Sequence, residues 1–571
     1  MYHRLRLATL AAPAFLLVTA ASAQQLQQQT PTRFPTQAFY SNQLTSADID
    51  NDGDLDIIFA DGQGYSSQGA ALKPRIYVNN GAGFFTDQTD ARAPGVTGWF
   101  RGVEAGDIDR DGDLDLVLAQ DFNKQPLLLI NDGAGAFADE TATRLPALTM
   151  SSARAQFGDV DNDGDLDLFF CNSGATNRFG SGQPRLFLND GTGVFTNVTA
   201  TNIPAGNIVD QQDCIFADVD GDLDLDIHIG SRAGASKLWL NDGSGVFTNS
   251  TIPGGGATYS YDFGDVDNDG DMDLISIQGS ADILLENNMP AAWTTISSEI
   301  SPNTAIDDND SKFFDFDNDG DLDCIVGSLG AGERVYRNNG GVASDRGALF
   351  TQVTNGATGI MPNVGDATLD IEVADYTGDG RLDVVTAQGE SGNFQNRIYV
   401  NVTGPADSIA PNIVNVTFVA DGDPTGSPAP HVVRTVIFDS HTCDRGPYQI
   451  TATLHYAANG SCGTVKGSVV MDWVGNSMWR GIIPAMPAGA IVTYSVSAVD
   501  FAGNAGSSAE IEFTEAGVAS ILGDLTGDGI IDGGDLAVLL GNWDNPGLGD
   551  LDCDGTVTGA DLSILLGAWS R

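Results

Sequence analysis

Positive charge is scarce in this chain of 571 residues: 26 Lys plus Arg stand against 77 Asp plus Glu, a formal charge of −51. Such a surface repels phosphate backbones and acidic lipid, which argues against nucleic acid and an anionic membrane face as partners and favours cations or neutral ligands. Cysteine is sparse too. The six (Cys171, Cys214, Cys324, Cys443, Cys462, Cys553) form no C-x-x-C pair, so neither a zinc cluster nor a dithiol redox centre is supported. Cys443 and Cys462 share one region and could bridge in an oxidising compartment; Cys171 and Cys214 could also pair, and the sequence does not decide. Of five histidines, His3 lies at the extreme N-terminus, leaving His228, His431, His441 and His455. No H-E-x-x-H occurs, and no G-x-S-x-G in a fitting context, so a metalloprotease or hydrolase centre has no motif to stand on. His228, in the apolar run IHIG, reads as a hydrogen-bonded core histidine. Long apolar runs are missing after residue 23, which excludes a later membrane-spanning helix. The first 23 residues join Arg4 and Arg6 to an apolar stretch, Leu7 to Ala20, and end Ala21-Ser22-Ala23. That is the pattern of a cleaved secretory leader, and export is expected.

Hydrophobic residues make up 42% of the chain and glycine contributes 70 positions, enough for packed cores joined by many tight turns. Self-similarity organises most of it. The segment DIDNDGDLD begins at Asp48, and related segments begin at Asp107, Asp159, Asp218, Asp265, Asp315 and Asp375, at intervals of 47 to 60 residues. After each comes an apolar run such as LDIIFA, then a run ending in Asn (RIYVNN, RLFLND, KLWLND), then Gly and a run such as GFFTDQT. With the strand entering the acidic loop, each unit holds four short strands, the content of a propeller blade. The expected fold is mainly β: a seven-bladed propeller over 33–403, a β-sandwich of alternating strands over 408–517, and a small α-helical, EF-hand-like module over 521–571. The last unit lacks a clear fourth strand after Asn401. The segment from Arg33 to Phe39 is the expected donor, closing the ring and covering a sheet edge, with 24–32 as linker.

The acidic loops point to Ca²⁺. Oxygen ligands at positions 1, 3, 5 and 9, a main-chain carbonyl at 7 and a glycine at 6 make a calcium loop, and hard oxygen donors in a flexible loop favour that ion over Mg²⁺. The candidate ligand residues are Asp48, Asp50, Asp52, Asp54 and Asp56; Asp107, Asp109, Asp111, Asp113 and Asp115; Asp159, Asp161, Asp163, Asp165 and Asp167; Asp218, Asp220, Asp222, Asp224 and Asp226; Asp265, Asp267, Asp269, Asp271 and Asp273; Asp315, Asp317, Asp319, Asp321 and Asp323; and Asp375, Thr377, Asp379 and Asp383. Five carboxylates in nine residues repel one another unless a cation sits among them. Binding energy at a loop joining two strands becomes folding energy, so a structural role is expected. Two loops depart from the pattern. Leu223 takes the place of the turn glycine in the fourth, which strains the backbone or weakens the site. In the seventh, Thr377 replaces a carboxylate and Arg381 adds positive charge. Two more acidic loops near the C-terminus, with Asp524, Thr526, Asp528, Asp532 and Asp535 and with Asp550, Asp552, Asp554 and Asp561, each lead into a Leu-rich helical pattern, for up to about nine Ca²⁺ sites in all.

The seven D-x-D-x-D-G-D-x-D units, with their trailing Asn-Gly-x-Gly-x-Phe, resemble the FG-GAP/VCBS repeats of the integrin alpha-subunit β-propeller. The resemblance implies a calcium-rigidified propeller used in adhesion or ligand binding; no D-x-S-x-S adhesion motif and no R-G-D is present, so integrin-like partner choice is not implied. The C-terminal pair, DLTGDGIIDGGD and DLDCDGTVTGAD, resembles the duplicated loop-helix of dockerin modules, which implies a cohesin-like or other surface or scaffold partner. Positions 10 and 11, often Ser-Thr in cellulosomal dockerins, are Gly533-Gly534 and Gly559-Ala560 here. The region ending YSVSAVDFAGNAG resembles immunoglobulin-like or fibronectin-type spacers.

A propeller ligand is expected at the channel mouth opposite the calcium turns. The loops there carry Trp99, Phe100 and Arg101, Arg154, Gln211 and Gln212, Tyr259 and Tyr261, and Lys312, and rings beside hydrogen-bonding groups suit sugars or extended peptides. The competing reading is that these aromatics pack between blades. A secreted binding or adhesion protein for carbohydrate or protein is therefore weighed against a propeller polysaccharide lyase or glycosidase.

Overall fold

The computed structural model describes residues 25–252, 258–340, 348–353, 359–365, 367–389, 392–423, 426–441, 450–460, 463–516, 522–526, 530–545, 549–552 and 556–569. The leader falls outside them, as do Cys443, Cys462 and Cys553 and the bridge considered between the first two. Cys171, Cys214 and Cys324 are buried free thiols, so the alternative Cys171–Cys214 bridge is not formed.

Seven small sheets follow the seven acidic loops, antiparallel except where Ile300–Ser301 adds a parallel edge to sheet 6, and we number sheets and loops alike. Sheet 1 runs Ser41–Ala47, Asp56–Asp61, Arg75–Val78, Thr86–Asp87. Every inner strand stops one residue before its loop, and every second strand begins on the loop's ninth residue (Ala47 and Asp56, Gly106 and Asp115, Ala374 and Asp383). The inner strands of sheets 1 to 7 pack in sequence order, and that of sheet 7, Thr368–Ala374, packs back against that of sheet 1. This closed succession of repeats is a β-propeller. The inner strands are buried almost throughout, and polar side chains fill the space they enclose: Leu44 N–H donates to Asp370 of sheet 7 at 2.8 Å and Val103 N–H to Gln43 of sheet 1 at 2.9 Å.

The N-terminal chain does complete sheet 7, but with an earlier segment than expected. Leu26–Gln28 pairs antiparallel with Arg397–Asn401, Leu26 opposite Asn401. The Gln-rich stretch is thus strand, not linker, because Leu26 alone supplies the buried apolar residue that the edge needs; it is fully buried. Thr30–Arg33 forms one helical turn, and Phe39 makes a single bridge to Phe394.

Residues beyond the propeller form two further sheets, Asn412–Val414, His431–Phe438, Asp472–Gly475 and Met478–Ile483 in one, and Thr451–Gly460, Gly463–Val470, Ile491–Val499, Ala505–Ser507 and Ile511–Thr514 in the other. They share one apolar core, including Val433, Leu454, Trp479, Val496 and Phe513, that is continuous with Phe157 and Phe170 of sheet 3. At the C-terminus two helices, Gly533–Gly541 and Gly559–Gly567, pack around Ile531, Leu539, Leu551, Val557 and Leu565. Among the described residues no helix is long and apolar enough to cross a membrane.

Candidate functional site

The acidic loops occupy one end of the inner strands. In loop 1 the Asp48 carboxylate accepts the N–H groups of Asp52 at 3.1 Å and Gly53 at 2.9 Å, folding the loop back on its first residue. The ninth residue clamps it from the other side: Asp56 accepts Asn79 N–H at 2.7 Å, and the equivalent pair recurs as Asp115 with Asn131, Asp167 with Asn189, Asp226 with Asn241, Asp273 with Asn287, Asp323 with Asn338 and Asp383 with Asn401. Carboxylate oxygens at positions 1 and 3, with 5 or 9, lie within 4.8 Å of one another in Asp48–Asp50–Asp52, Asp107–Asp109–Asp115, Asp159–Asp161–Asp167, Asp218–Asp220–Asp226 and Asp265–Asp267–Asp269. At that spacing two unit charges repel by about 3–4 kcal/mol at an effective dielectric near 20.

The third-position oxygens test whether a cation fits. Oδ1 of Asp50, Asp109, Asp220, Asp267 and Asp317 is buried and receives no hydrogen bond. A buried acceptor without a donor costs about 1–3 kcal/mol or more when charged, and the same atom orphaned in five loops is what an oxygen-coordinated divalent cation would satisfy. Without one, burial lifts Asp56 to about 8, Asp115 to about 7, and Asp226 and Asp323 to about 9. The seventh-position side chains do something else. Asp113, Asp224 and Asp321 accept from Asn51, Asn162 and Asn268 of the preceding loop at 2.6–2.8 Å, and Asp165 pairs with Arg110 at 2.9 Å, so these carboxylates tie loop to loop.

A second tie was not read from the sequence although its residue was. The Asn closing each third strand sends its side-chain N–H to the second-position carbonyl of the preceding loop: Asn79 to Tyr376, Asn131 to Ile49, Asn189 to Ile108, Asn241 to Val160, Asn287 to Val219 and Asn338 to Val266, all at 2.7–3.0 Å. Between sheets 6 and 7 Gln25 makes this bond instead, to Phe316 O at 2.6 Å.

Loop 4 keeps its shape despite Leu223. The residue adopts φ 68°, where the glycines of loops 1 and 2 show 91° and 92°, and its N–H still reaches Asp218 at 3.1 Å. The backbone strain, roughly 1–2 kcal/mol for a left-handed non-glycine residue, is set against contacts with the two-sheet unit. The Leu223 side chain packs in one cluster with Val414, Val436 and Phe438, and Arg434 Nη1 donates to Leu223 O and to Asp224, both at 2.7 Å. That unit also covers loops 3 and 6, through Asp159 N–H to Val474 O at 2.8 Å and Asp315 N–H to Ser440 O at 2.7 Å. In loop 7 Arg381 pairs with Asp379 at 3.0 Å, and Thr377 Oγ1 reaches Asp375 at 3.4 Å. In the C-terminal module Asp535 and Asp561 each accept three backbone N–H groups within 3.0 Å; the amide donors, that of Asp532 foremost, hold Asp535 below the usual carboxylate range. Thr526 contacts Asp524 at 3.4 Å, while Asp528 and Asp554 lie outside the described residues.

At the opposite end every inner strand carries a bulge. The pairing with the second strand skips between Ser41 and Gln43, Phe100 and Gly102, Ser152 and Ala155, Gln211 and Asp213, Thr258 and Ser260, Asp308 and Asp310, and Thr368 and Asp370. A bulge re-aims the extra residue. The seven released positions, Asn42, Arg101, Ala153-Arg154, Gln212, Tyr259, Asn309 and Leu369, together line one cleft at the channel mouth, joined by Tyr65, Arg178 and Arg232 from the loops above.

Of the ligand residues expected from sequence, the structure brings Arg101, Arg154 and Tyr259 to this cleft. Phe100 is wholly buried between sheets 1 and 2, Tyr261 packs edge-on against His228 with ring centroids 3.9 Å apart, Gln211 donates to backbone carbonyls including Gly182 at 2.9 Å, and Lys312 is only 2% exposed. Trp99 stands outside the cleft with its Nε1 on Gly69 O at 2.8 Å and Lys124 over its ring. His228 is buried and held down to about 3 by that burial, but its Nδ1 lacks the hydrogen bond expected of it. Gln212, expected from sequence beside Gln211, does line the cleft, whereas Asn42, Asn309 and Leu369 were missed because a one-residue register offset in the strand brings them there. Tyr65, Arg178 and Arg232 lie in longer insertions with no repeated pattern.

The FG-GAP-like repeat family model matches residues 48–118, 112–170, 218–276 and 315–386. The chain carries FG-GAP-like repeats, and they build its propeller. No curated protein matches the chain. Solved structures similar to it include an Agrocybe aegerita lectin that recognises non-reducing terminal N-acetylglucosamine (18% identity, 56% of this chain and 80% of that one, TM-score 0.36). Others are the V. cholerae biofilm matrix protein Bap1 (14%, 85% and 76%, TM-score 0.29) and a Schwanniomyces occidentalis fructofuranosidase complexed with fructose (9%, 87% and 96%, TM-score 0.26).

Proposed function

We propose that the protein is an exported, calcium-stiffened seven-bladed propeller whose channel mouth binds an extracellular carbohydrate or protein, and whose dockerin-like C-terminus attaches it, across an immunoglobulin-like spacer, to a surface or scaffold protein. The observation that carries the binding role is the bulge ring: seven equivalent backbone positions converge on one cleft with different side chains, the arrangement of a recognition surface on a rigid frame. The orphaned third-position oxygens support the calcium frame. Exposed Leu540 and Leu566, in matching places of the two C-terminal helices, support an attachment face. A glycan and matrix-protein array probed with the full chain, with and without calcium, tests the reading; hits lost on chelation and on Tyr65→Ala with Tyr259→Ala support it, and hits indifferent to both overturn it.

A further inference from the structure

The cleft is cationic in a protein that is otherwise strongly acidic. Arg101, Arg154, Arg178 and Arg232 all line it. Three of them have internal carboxylates: Arg101 with Asp121 at 3.5 Å, Arg154 with Asp370 at 2.7 Å and Asp213 at 3.3 Å, and Arg232 with Asp210 at 2.8 Å. Arg178 differs. Its contacts are aromatic, 5.1 Å to the Tyr65 ring centroid and 4.8 Å to that of Phe179, its Nε is buried without a hydrogen bond, and among the described residues no carboxylate pairs with it.

Its position is built. Tyr65 and Phe179 pack at a tilt of 55° with centroids 4.8 Å apart, Asn177 donates to Ser66 O at 3.0 Å, and Arg232 reaches the Tyr65 hydroxyl at 3.2 Å, so the sheet 3 insertion arches past sheet 2 to the sheet 1 loop. The cations come from sheets 2, 3 and 4; exposed Asp307 stands beside Tyr259, whose ring lies 5.8 Å from the Arg232 guanidinium, so a carboxylate adjoins Arg232 and none adjoins Arg178 among the described ion pairs. A ligand acid is therefore directed to Arg178 with Arg232 flanking it.

Resting on the proposed binding role of this mouth, we infer that its ligand is an acidic polysaccharide whose carboxylate or sulfate is received by Arg178. The planar guanidinium fork, held against the Tyr65 and Phe179 rings, matches either group in two parallel hydrogen bonds. Around it Gln212, Asn309 and the tyrosine hydroxyls are the neutral polar groups of the lining, while Asn42 is committed to Arg101 and to backbone carbonyls. Apart from Ala153 and Leu369 the lining has no aliphatic side chain, so the apolar anchors by which grooves take peptides are missing from it.

The test is calorimetric titration of the calcium-loaded full chain with pentagalacturonate, a sulfated galactose pentamer, neutral galactopentaose and hexaglutamate. One or both acidic sugars are expected to bind, the preferred arm identifying the acid, with affinity falling as salt rises. Arg178→Ala should weaken that binding about tenfold or more, the worth of a charge-assisted hydrogen bond, at an unchanged melting temperature because no internal ion pair is lost. Galactopentaose binding as tightly, or Arg178→Ala binding normally while Tyr65→Ala does not, overturns the acidic assignment and leaves the cleft a neutral-sugar site. Hexaglutamate binding as tightly overturns the saccharide class. If no probe binds, the inference fails; the array hits and their loss in the tyrosine variants then judge the broader reading separately.

Discussion

The two ends of each inner strand obey different rules. At the acidic end the seven sheets nearly repeat one another: a carboxylate that folds the loop, another that clamps it, an asparagine that reaches the neighbouring loop. At the bulge end the seven sheets share a backbone kink but no common side chain, with five residue types running Asn, Arg, Arg, Gln, Tyr, Asn and Leu. Repetition within one chain is expected where every copy carries the same mechanical load, and divergence where each copy touches a different part of something else. On the proposed reading, the difference puts stability on one face and recognition on the other.

Removing metal should separate the faces most sharply. Chelation is expected to lower the melting temperature by more than about 10 °C, since several orphaned and mutually repelling carboxylate sets lose their counter-ion together; an unchanged calorimetric scan after verified stripping would break the comparison. Next in size is closure. A chain starting at Thr30 loses Gln25–Gln28, exposes the Arg397–Asn401 edge, and should aggregate or melt several degrees early by light scattering and calorimetry. Behaviour like that of the chain starting at Gln24 would show that the edge needs no cover.

Within the acidic face, Asp159→Ala with Asp163→Ala should cost roughly 3 kcal/mol in denaturant titration, and Asp375→Ala with Asp379→Ala about half that, because Arg381 already offsets part of the charge in loop 7. Equal losses would mean the loops bear equal load. Acidity gives a smaller effect of opposite sign in the two states. In the metal-free fold buried Asp56, Asp115, Asp226 and Asp323 titrate between about 7 and 9. The fold then holds protons that the unfolded chain releases above about pH 4, so stability falls as pH rises from 5 to 8. With metal bound the same groups are ionised in the fold, and stability is lost as pH falls. Melting scans at pH 5 and 8, with chelator and with calcium, should cross; parallel shifts would refute the ligand role. Smallest of all, Gln212→Ala and Leu369→Ala at the bulge ring should each change stability by less than about 1 kcal/mol. A larger loss would make that ring structural too.

The acidic face was legible because calcium geometry fixes residue type and spacing within nine positions, and because seven copies averaged out local accident. The bulge ring was not legible as a ring: a bulge is a backbone event of one residue, and nothing in the side chains of Asn42 or Leu369 announces it. The aromatic pair Phe100 and Tyr261 misled for the same reason, sitting beside bulged residues while pointing into interblade cores. Closure was legible in kind, yet the donor strand was displaced because LQQ looks like a polar linker until its single leucine is seen buried. Leu223 had two readings in sequence, and only its partners Val414, Val436 and Arg434, some 200 residues away, decide for a strained loop under a covering unit.

Gln25 has a consequence for how the molecule is made. Five of the loop-to-loop ties join neighbours in sequence, with partners 68 to 82 positions apart, whereas Asn79 to Tyr376 joins sheet 1 to sheet 7 across 297 and Gln25 to Phe316 joins sheets 7 and 6 across 291. At about 5–20 residues per second, translation takes roughly 20 to 75 s to go from Gln25 to Asn401. For that interval the nascent stack has two raw ends, the first-made segment waiting for a partner that is made last. Circularity here is a property the chain can acquire only after nearly three-quarters of it exists, so delay in export or synthesis should harm closure before it harms any single sheet.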